Sequence, residues 1–594
     1  MEAVASMPSR EIILDLLESL WASQAFSKDC QASVAAPHSR PTPLIMADTE
    51  ATGTAARSMS RDEGRLRELG YKQELKRDWS LIHNFGVSFS IISVITGITT
   101  LFQYGLTTGG PAVMASGWLV VSFFTMFVGL GMAEIVSAIP SAGGPYFWAA
   151  ILAPKKWAPF ASWVTGWFNL LGQVAVTTGI TFGGAGLIST LATIHGYEPS
   201  AGKTLGIYAA LLCSHGLVNS FGVHILRYLN NTSITLHSLG IFSFAVAVVA
   251  KAPHHQSASF VFQKFYDGTG DPGWSVRASP AYVACIGILM SQYTITGFDA
   301  SAHLSEETQN ASWSAPLGVL MSIGCSALFG WFLILCLLFS IQDFDQTIGS
   351  EYGQPVLQIL VDVFGETGAI VLFTLVIICV WHCGLFSLTS NSRMMFSFAR
   401  DGGIPHFFHN VDARFRSPIR TIWLAAFLAF LLAIPSVGSS VAFSAATSIA
   451  TIGLYLSYGL PILIGMINPQ GFIHGPFNLK WFSRPVAMIA CGWISFITVI
   501  FCLPELNPVD SQTLNYTPVA VGIIGVWCLA SWFLWAHKWF KGPIRQIEAE
   551  VAGVNVEDPA AMEQAEREGR IPQIEALESS KEASMLAAMK QTYN

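Results

Sequence analysis

Two helix-length apolar stretches carry polar, glycine-bearing residues where a membrane helix has least use for them. The first, FSIISVITGITTLFQYG at 89–105, contains Ser93, Thr96 and Gly97. The second, GILMSQYTITGFDASAHLSEE at 287–307, contains Tyr293, Thr294, Thr296, Gly297 and Asp299. Backbone that does not hydrogen-bond to itself is tolerated at membrane depth only where protein buries it or it lines a polar cavity. The chemistry on offer is charge recognition by helix ends. A half-helix starting near Gly97 presents free N–H groups and a partial positive charge, which suit a carboxylate. Carbonyls freed from Tyr293 to Thr296 suit an ammonium group. Together they would hold an amino acid without committing a full protein charge to the membrane. Glycines that merely permit close helix packing are the alternative. Two interrupted spans at corresponding places in two halves of a chain point instead to a transport site.

The elements that would position these residues are read from hydropathy. The chain has 594 residues, 52% apolar and only 12% charged, about half the charge density of soluble domains, and a mean hydropathy of +0.49. The charge deficit lies between residues 81 and 540, where apolar runs recur that are long enough to cross about 30 Å of hydrocarbon. Spans are expected at 82–103, 113–137, 158–191, 204–224, 231–250, 281–303, 316–340, 367–392, 419–437, 441–467, 482–503 and 518–540. They are called spans 1 to 12. Span 3 is overlong and is expected to include some loop. The fold expected is an all-α integral membrane protein of about twelve transmembrane helices. No alternating ten-residue pattern suggests a β-barrel.

Spans 1–5 and 6–10 form two sets of five, each opening on a broken helix, an arrangement expected for a five-plus-five inverted repeat. The repeats would cover about 81–250 and 281–467, with two extra helices in 482–540. Residues 1–80 read as a cytoplasmic N-terminal tail, of which 1–45 is dispensable if translation starts at Met46, and 541–594 as an acidic cytoplasmic C-terminal tail. Lys and Arg crowd the stretch before span 1 and the segments on its side, including Arg393, Arg400, Arg414 and Arg416, so both termini are expected in the cytoplasm. The triplets at Asn230, Asn231, Asn310 and Asn515 are expected to stay unglycosylated.

Among ionisable groups at depth, Asp299 is the foremost functional candidate. It could bind a substrate amine, take part in proton transfer or cap the second half-helix. His303, Glu306 and Glu307 read as a cytoplasmic gate or, in preference, a solvated helix end. Ten cysteines include no C-x-x-C pair. Cys379, His382 and Cys383 share a turn of span 8 and are read as a packing face with a polar contact. No metal site, disulfide framework or cofactor is expected. Without a nucleophile motif, metal cluster or phosphate loop, no enzyme is expected, and nothing points to nucleic acid.

Longer motifs add a resemblance. Glu134-x-x-Ser137-x-x-Pro140-x-x-Gly143-Gly144-x-Tyr146 resembles the signature of the amino acid–polyamine–organocation superfamily. ISVITGITT, GGPAVMASGW, VGLGMAEI, WAPFASWVTGWFN, LMSQYTITGFDASAH, SNSRMMFSFARDGGIP, SIATIGLY and LNYTPVAV are similar to the GABA permease-like and bidirectional amino-acid transporters of fungi and plants. The likeness covers about 65–545. It implies twelve helices with a five-plus-five inverted repeat. It also implies that the substrate carboxylate meets Ser93, Thr96 and Gly97, and the amine meets Tyr293, Thr294 and Thr296, with Asp299 following the G-F-D pattern. Some relatives place a coupling lysine in the fifth helix. Here His237 is the sole titratable side chain of span 5, and it is either a proton-coupling candidate or a buried, neutral, hydrogen-bonded histidine.

The function expected is that of a multi-pass permease for GABA or related amino acids, in the plasma membrane or an internal organelle membrane. It would work by alternating access as a secondary active carrier with a proton as coupling-ion candidate. The alternatives are a choline or polyamine permease of the same fold, or a nutrient sensor that binds amino acid without moving it.

Overall fold

The computed structural model describes residues 77–437, 442–540 and 542–543, with Gly64 and Leu66. Met46, the segments around it and the C-terminal tail from Ile544 lie outside the described residues. Within them, eleven helices are long and apolar enough to cross a membrane. The span absent from that count is the sixth, because it is broken into short pieces. The chain is thus an all-α, multi-pass integral membrane protein.

Span 1 is two helices, Leu81–Ile92 and Val94–Thr107. Span 2 is Gly110–Ala138 and span 3 is Ala158–Thr193. Span 3 corrects an expectation, because it is helical over all 36 residues with no included loop. Small residues such as Gly172 bring it against span 10, where a Cβ on Gly172 would lie 2.5 Å from the Leu454 nitrogen. Span 4 is Ala201–Phe221. Span 5 runs through Val223–Thr235, a π-turn at Leu236–Gly240 and Ile241–Lys251.

Span 6 comprises Pro280–Gly287, Leu289–Thr294 and, after a non-helical stretch, Ala300–His303 with a 3₁₀ turn at Ser305–Glu307. Span 7 is Ala311–Phe339. Span 8 lies in Pro355–Arg400, kinked where Gly365 takes φ 71° and ψ 174°. Spans 9 to 11 are Ile419–Ala433, Ala442–Ile467 and Ser483–Ile500. Span 12 starts as Thr517–Ser531 and continues through a second π-turn.

Span 8 extends well past its expected end at 392. Arg393 and Arg400, which lie beyond that expected end, are helical and 1% and 0% exposed, because carboxylates meet them inside the bundle.

The face from which span 1 starts is called basal here. There the lower half of span 1 is joined to the lower half of span 6. The Trp79 amide donates to the Glu307 carbonyl at 3.1 Å. Asn84 Nδ2 donates to the Ser301 carbonyl and to Thr308 Oγ1, each at 2.9 Å. Ser88 Oγ donates to the Phe298 carbonyl at 3.1 Å and meets Ser301 Oγ at 2.7 Å. At the opposite end Tyr104 Oη donates to the Ile286 carbonyl at 3.0 Å.

Candidate functional site

The first break falls on Ser93, not at Gly97. Ser93 takes φ 29° and ψ 76°, a conformation costly for a residue with a Cβ. Its hydroxyl is held by two partners, His237 Nε2 at 2.7 Å and Thr96 Oγ1 at 2.5 Å. The second half-helix therefore starts at Val94. The Thr96 and Gly97 amides bond back to the Ser93 carbonyl at 2.8 and 3.2 Å. The first-turn amides of Val94 and Ile95 have no partner available within their own helix, so the anion-seeking end lies three residues earlier than expected. Gly97 has a different task. A Cβ there would lie 2.3 Å from Thr294 Oγ1, so its missing side chain lets the two broken spans touch.

The second break lies where expected. Helix ends at Thr294, Gly297 takes φ 101°, which favours glycine, and helix resumes at Ala300. Thr294 and Thr296 turn their hydroxyls back onto the Met290 and Gln292 carbonyls, both at 2.6 Å. Tyr455 Oη of span 10 donates to the Ile295 carbonyl at 3.2 Å. The carbonyls of Tyr293, Thr294 and Thr296 accept no hydrogen bond from the described residues, which leaves three acceptors for an ammonium group. The Tyr293 hydroxyl and Asp299 Oδ1 are also buried without a protein partner.

Asp299 does not cap the helix that follows it: its side chain makes no capping bond. Oδ2 accepts from Gln173 Nε2 of span 3 at 2.7 Å and faces His303 Nε2 at 3.3 Å. Glu306 and Glu307 correct the expectation of a solvated helix end, being 0% and 6% exposed. Glu306 pairs with Arg400 at 3.3 Å and Glu307 with Arg393 at 3.0 Å. The Ala142 amide also donates to Glu306 at 3.0 Å, and Tyr146 Oη donates to Asp401 at 3.0 Å. Through Ala142 the segment after span 2 thereby holds the Glu306–Arg400 pair, which lies beneath the breaks.

His237 lies beside the first break with both ring nitrogens engaged. Nδ1 is 2.8 Å from the Ser233 carbonyl and must donate to it. Nε2 then accepts from the Ser93 hydroxyl, so a neutral ring is fully satisfied. Cys383 Sγ contributes the polar contact of the span 8 packing face, donating to the Ile91 carbonyl at 3.1 Å.

The structure thus brings Ser93, Thr96, Gly97, Tyr293, Thr294, Thr296, Gly297 and Asp299 together, with His237 behind the first break. It adds residues that sequence reasoning passed over: Gln173, Tyr455, and Gln292 with its partner Trp493, whose Nε1 donates to Gln292 Oε1 at 3.0 Å. Gln173, polar in mid-span, was the available signal. A cavity of about 560 Å³ on the non-basal face includes Gly179 in its lining, and a Cβ on Gly179 would lie 2.5 Å from the Tyr293 hydroxyl. A basal cavity of about 680 Å³, lined by Trp79, Arg227, Arg414 and Arg416, reaches Glu307. The breaks lie between the two.

Residues 82–527 match the family described as Amino acid permease. The chain is 44% identical over 520 residues to the "Amino-acid permease BAT1 homolog" of Oryza sativa subsp. japonica, covering 84% of this chain and 98% of the relative. It is 41% identical to "Amino-acid permease BAT1" of Arabidopsis thaliana, covering 82% and 97%. To the "GABA-specific permease" of Saccharomyces cerevisiae it is 30% identical over 525 residues, covering 85% and 90%.

Proposed function

This chain belongs to the amino acid permease family, and from that premise we propose that it carries GABA or a related short amino acid by alternating access. The observation that carries the reading is the close approach of Gly97, just beyond the first break, to Thr294 at the start of the second, which supports a shared site for both ends of an amino acid. The carboxylate meets the Val94 and Ile95 amides with the Ser93 and Thr96 hydroxyls. The ammonium meets the carbonyls of Tyr293, Thr294 and Thr296, with Asp299 Oδ1 within the same break.

The two sets of five spans form an inverted repeat that rocks about this pair of breaks, with both termini and the basal face in the cytoplasm of a cell or facing it from an organelle. The buried Glu306–Arg400 and Glu307–Arg393 pairs close the cytoplasmic side. Transport is secondary active. His237 serves to hold Ser93 in its broken conformation.

Uptake of labelled GABA into vesicles reconstituted with the protein tests this. Competition by GABA and neutral amino acids, and none by choline, is the expected result. Competition by choline alone would favour an organocation carrier that does not use the Val94–Ile95 end, and binding without uptake would favour a sensor.

A further inference from the structure

We propose that Asp299 and His303 form a binding site for one proton that moves with the substrate, a proposal resting on the transport reading above. His303 Nδ1 lies 2.8 Å from the Ala142 carbonyl oxygen. That oxygen can only accept, so Nδ1 carries a hydrogen. The other nitrogen, Nε2, faces Asp299 Oδ2 at 3.3 Å, with both side chains no more than 1% exposed. A neutral ring would then press a lone pair against a carboxylate in a buried place. The two atoms stand at ion-pair distance without a hydrogen bond between them in this state, and a proton bound to either, as imidazolium against carboxylate or as carboxylic acid against imidazole, relieves that repulsion.

The surroundings supply no substitute for it. From span 3, Gln173 Nε2 donates to Asp299 Oδ2 and carries no charge. From span 10, the tyrosines Tyr455 and Tyr458 lie near Asp299. The loop after span 2 brings the Ala142 carbonyl and Gly144, where a Cβ would lie 2.7 Å from the His303 ring. Below, Glu306 is engaged with Arg400 of span 8 and Glu307 with Arg393. Among the described residues, no basic side chain other than His303 lies within ion-pair distance of Asp299.

The pair lies between Gly297 and the ion pairs that shut the cytoplasmic side, so it is sealed from both faces in this state. A proton reaches or leaves it only when one path opens. When the cytoplasmic path opens, Nε2–H releases H⁺ to water and leaves a lone pair facing the carboxylate. Their repulsion loosens the contacts to Gln173 and Ala142 until a proton arriving from the other face restores them. One proton thus accompanies each amino acid in the same direction.

The test uses the full chain in liposomes, with labelled GABA and an internal pH-sensitive dye. Exchange of labelled for unlabelled GABA needs no net proton movement, whereas accumulation driven by a pH gradient does. Wild type is expected to do both and to move one proton per GABA. His303→Gln keeps a donor for Ala142 but cannot shuttle the proton. It is expected to retain exchange within about threefold while proton movement per GABA falls toward zero and the pH profile flattens. Asp299→Asn is read only through the same ratio, which does not depend on how fast the variant works. A His303→Gln or Asp299→Asn protein that keeps the wild-type ratio would overturn the proposal, as would wild type exchanging GABA without moving protons. Should wild type neither bind nor exchange any amino acid, it is the transport reading that fails. If His303→Gln does not reach the liposome, the Asp299→Asn ratio decides.

Discussion

At Gly97 the broken spans approach so closely that one methyl group is enough to separate them. Its added Cβ would lie within 2.7 Å of three Thr294 atoms. Gly97→Ala should therefore reduce uptake more than tenfold, equivalent to over about 1.4 kcal/mol, at an unchanged amount in the membrane. Thr294→Gly in the same chain should recover part of it; normal uptake by Gly97→Ala would show that this contact does not build the site. Glu505, in the connection between spans 11 and 12, is a second residue with a readable consequence. Burial pushes its carboxyl up to about 7, against a smaller downward pull from the Ser444 hydroxyl. A carboxyl whose folded value lies above its unfolded one binds its proton more tightly when folded. Its contribution is complete at acidic pH and is lost as pH rises through about 7, at most about 3 kcal/mol. Thermal unfolding should show stability declining from about pH 5 to about pH 8, and Glu505→Gln should flatten that decline. Equal slopes for the two proteins would mean that the carboxylate finds compensation the structure does not reveal.

At the scale of elements, the lower halves of spans 1 and 6 are tied by side chain-to-backbone bonds from Asn84 and Ser88, so they should tilt as one body. The conformation of the break at Ser93 depends on span 5. His237 reaches across 144 residues of sequence to it, which is why the hinge is illegible locally: glycine is the visible helix breaker, and a serine held by a distant imidazole is not. The second break is legible because its Gly297 must adopt positive φ by itself. Hydropathy locates the spans for the same reason, since crossing lipid is a property of each segment alone. The buried state of Glu306 and Glu307 is not such a property, because their arginines lie 94 and 86 residues away. If His237 holds the hinge, His237→Gln should weaken substrate binding about fivefold or more through one lost buried hydrogen bond, with protons moved per substrate unchanged. Calorimetry on the purified variant checks the first part and the liposome dye the second. Unaltered affinity with a flattened pH profile would reverse the assignment.

For the whole molecule, the proposed closure of the basal side rests on two buried ion pairs and the loop that holds one of them. Removing one partner of a buried pair costs about 3–5 kcal/mol because the other charge stays behind. Arg400→Gln should thus lower stability and favour the state open at the basal face. Cys383, fully buried against span 1, then becomes reachable, and mass spectrometry should find it labelled by a thiol reagent far faster than in wild type. Unchanged labelling would place closure elsewhere. Span 11 gives the molecule a further property. Only 33% of its apolar window is buried, so it faces lipid along much of its length, yet its inward-facing Trp493 is bonded to Gln292 at the edge of the second break. A thicker or thinner bilayer changes the tilt of such a helix, and through the Trp493 indole that tilt would reach the Gln292 side chain beside the second break. The surrounding membrane would thereby be a mechanical input to the proposed binding site.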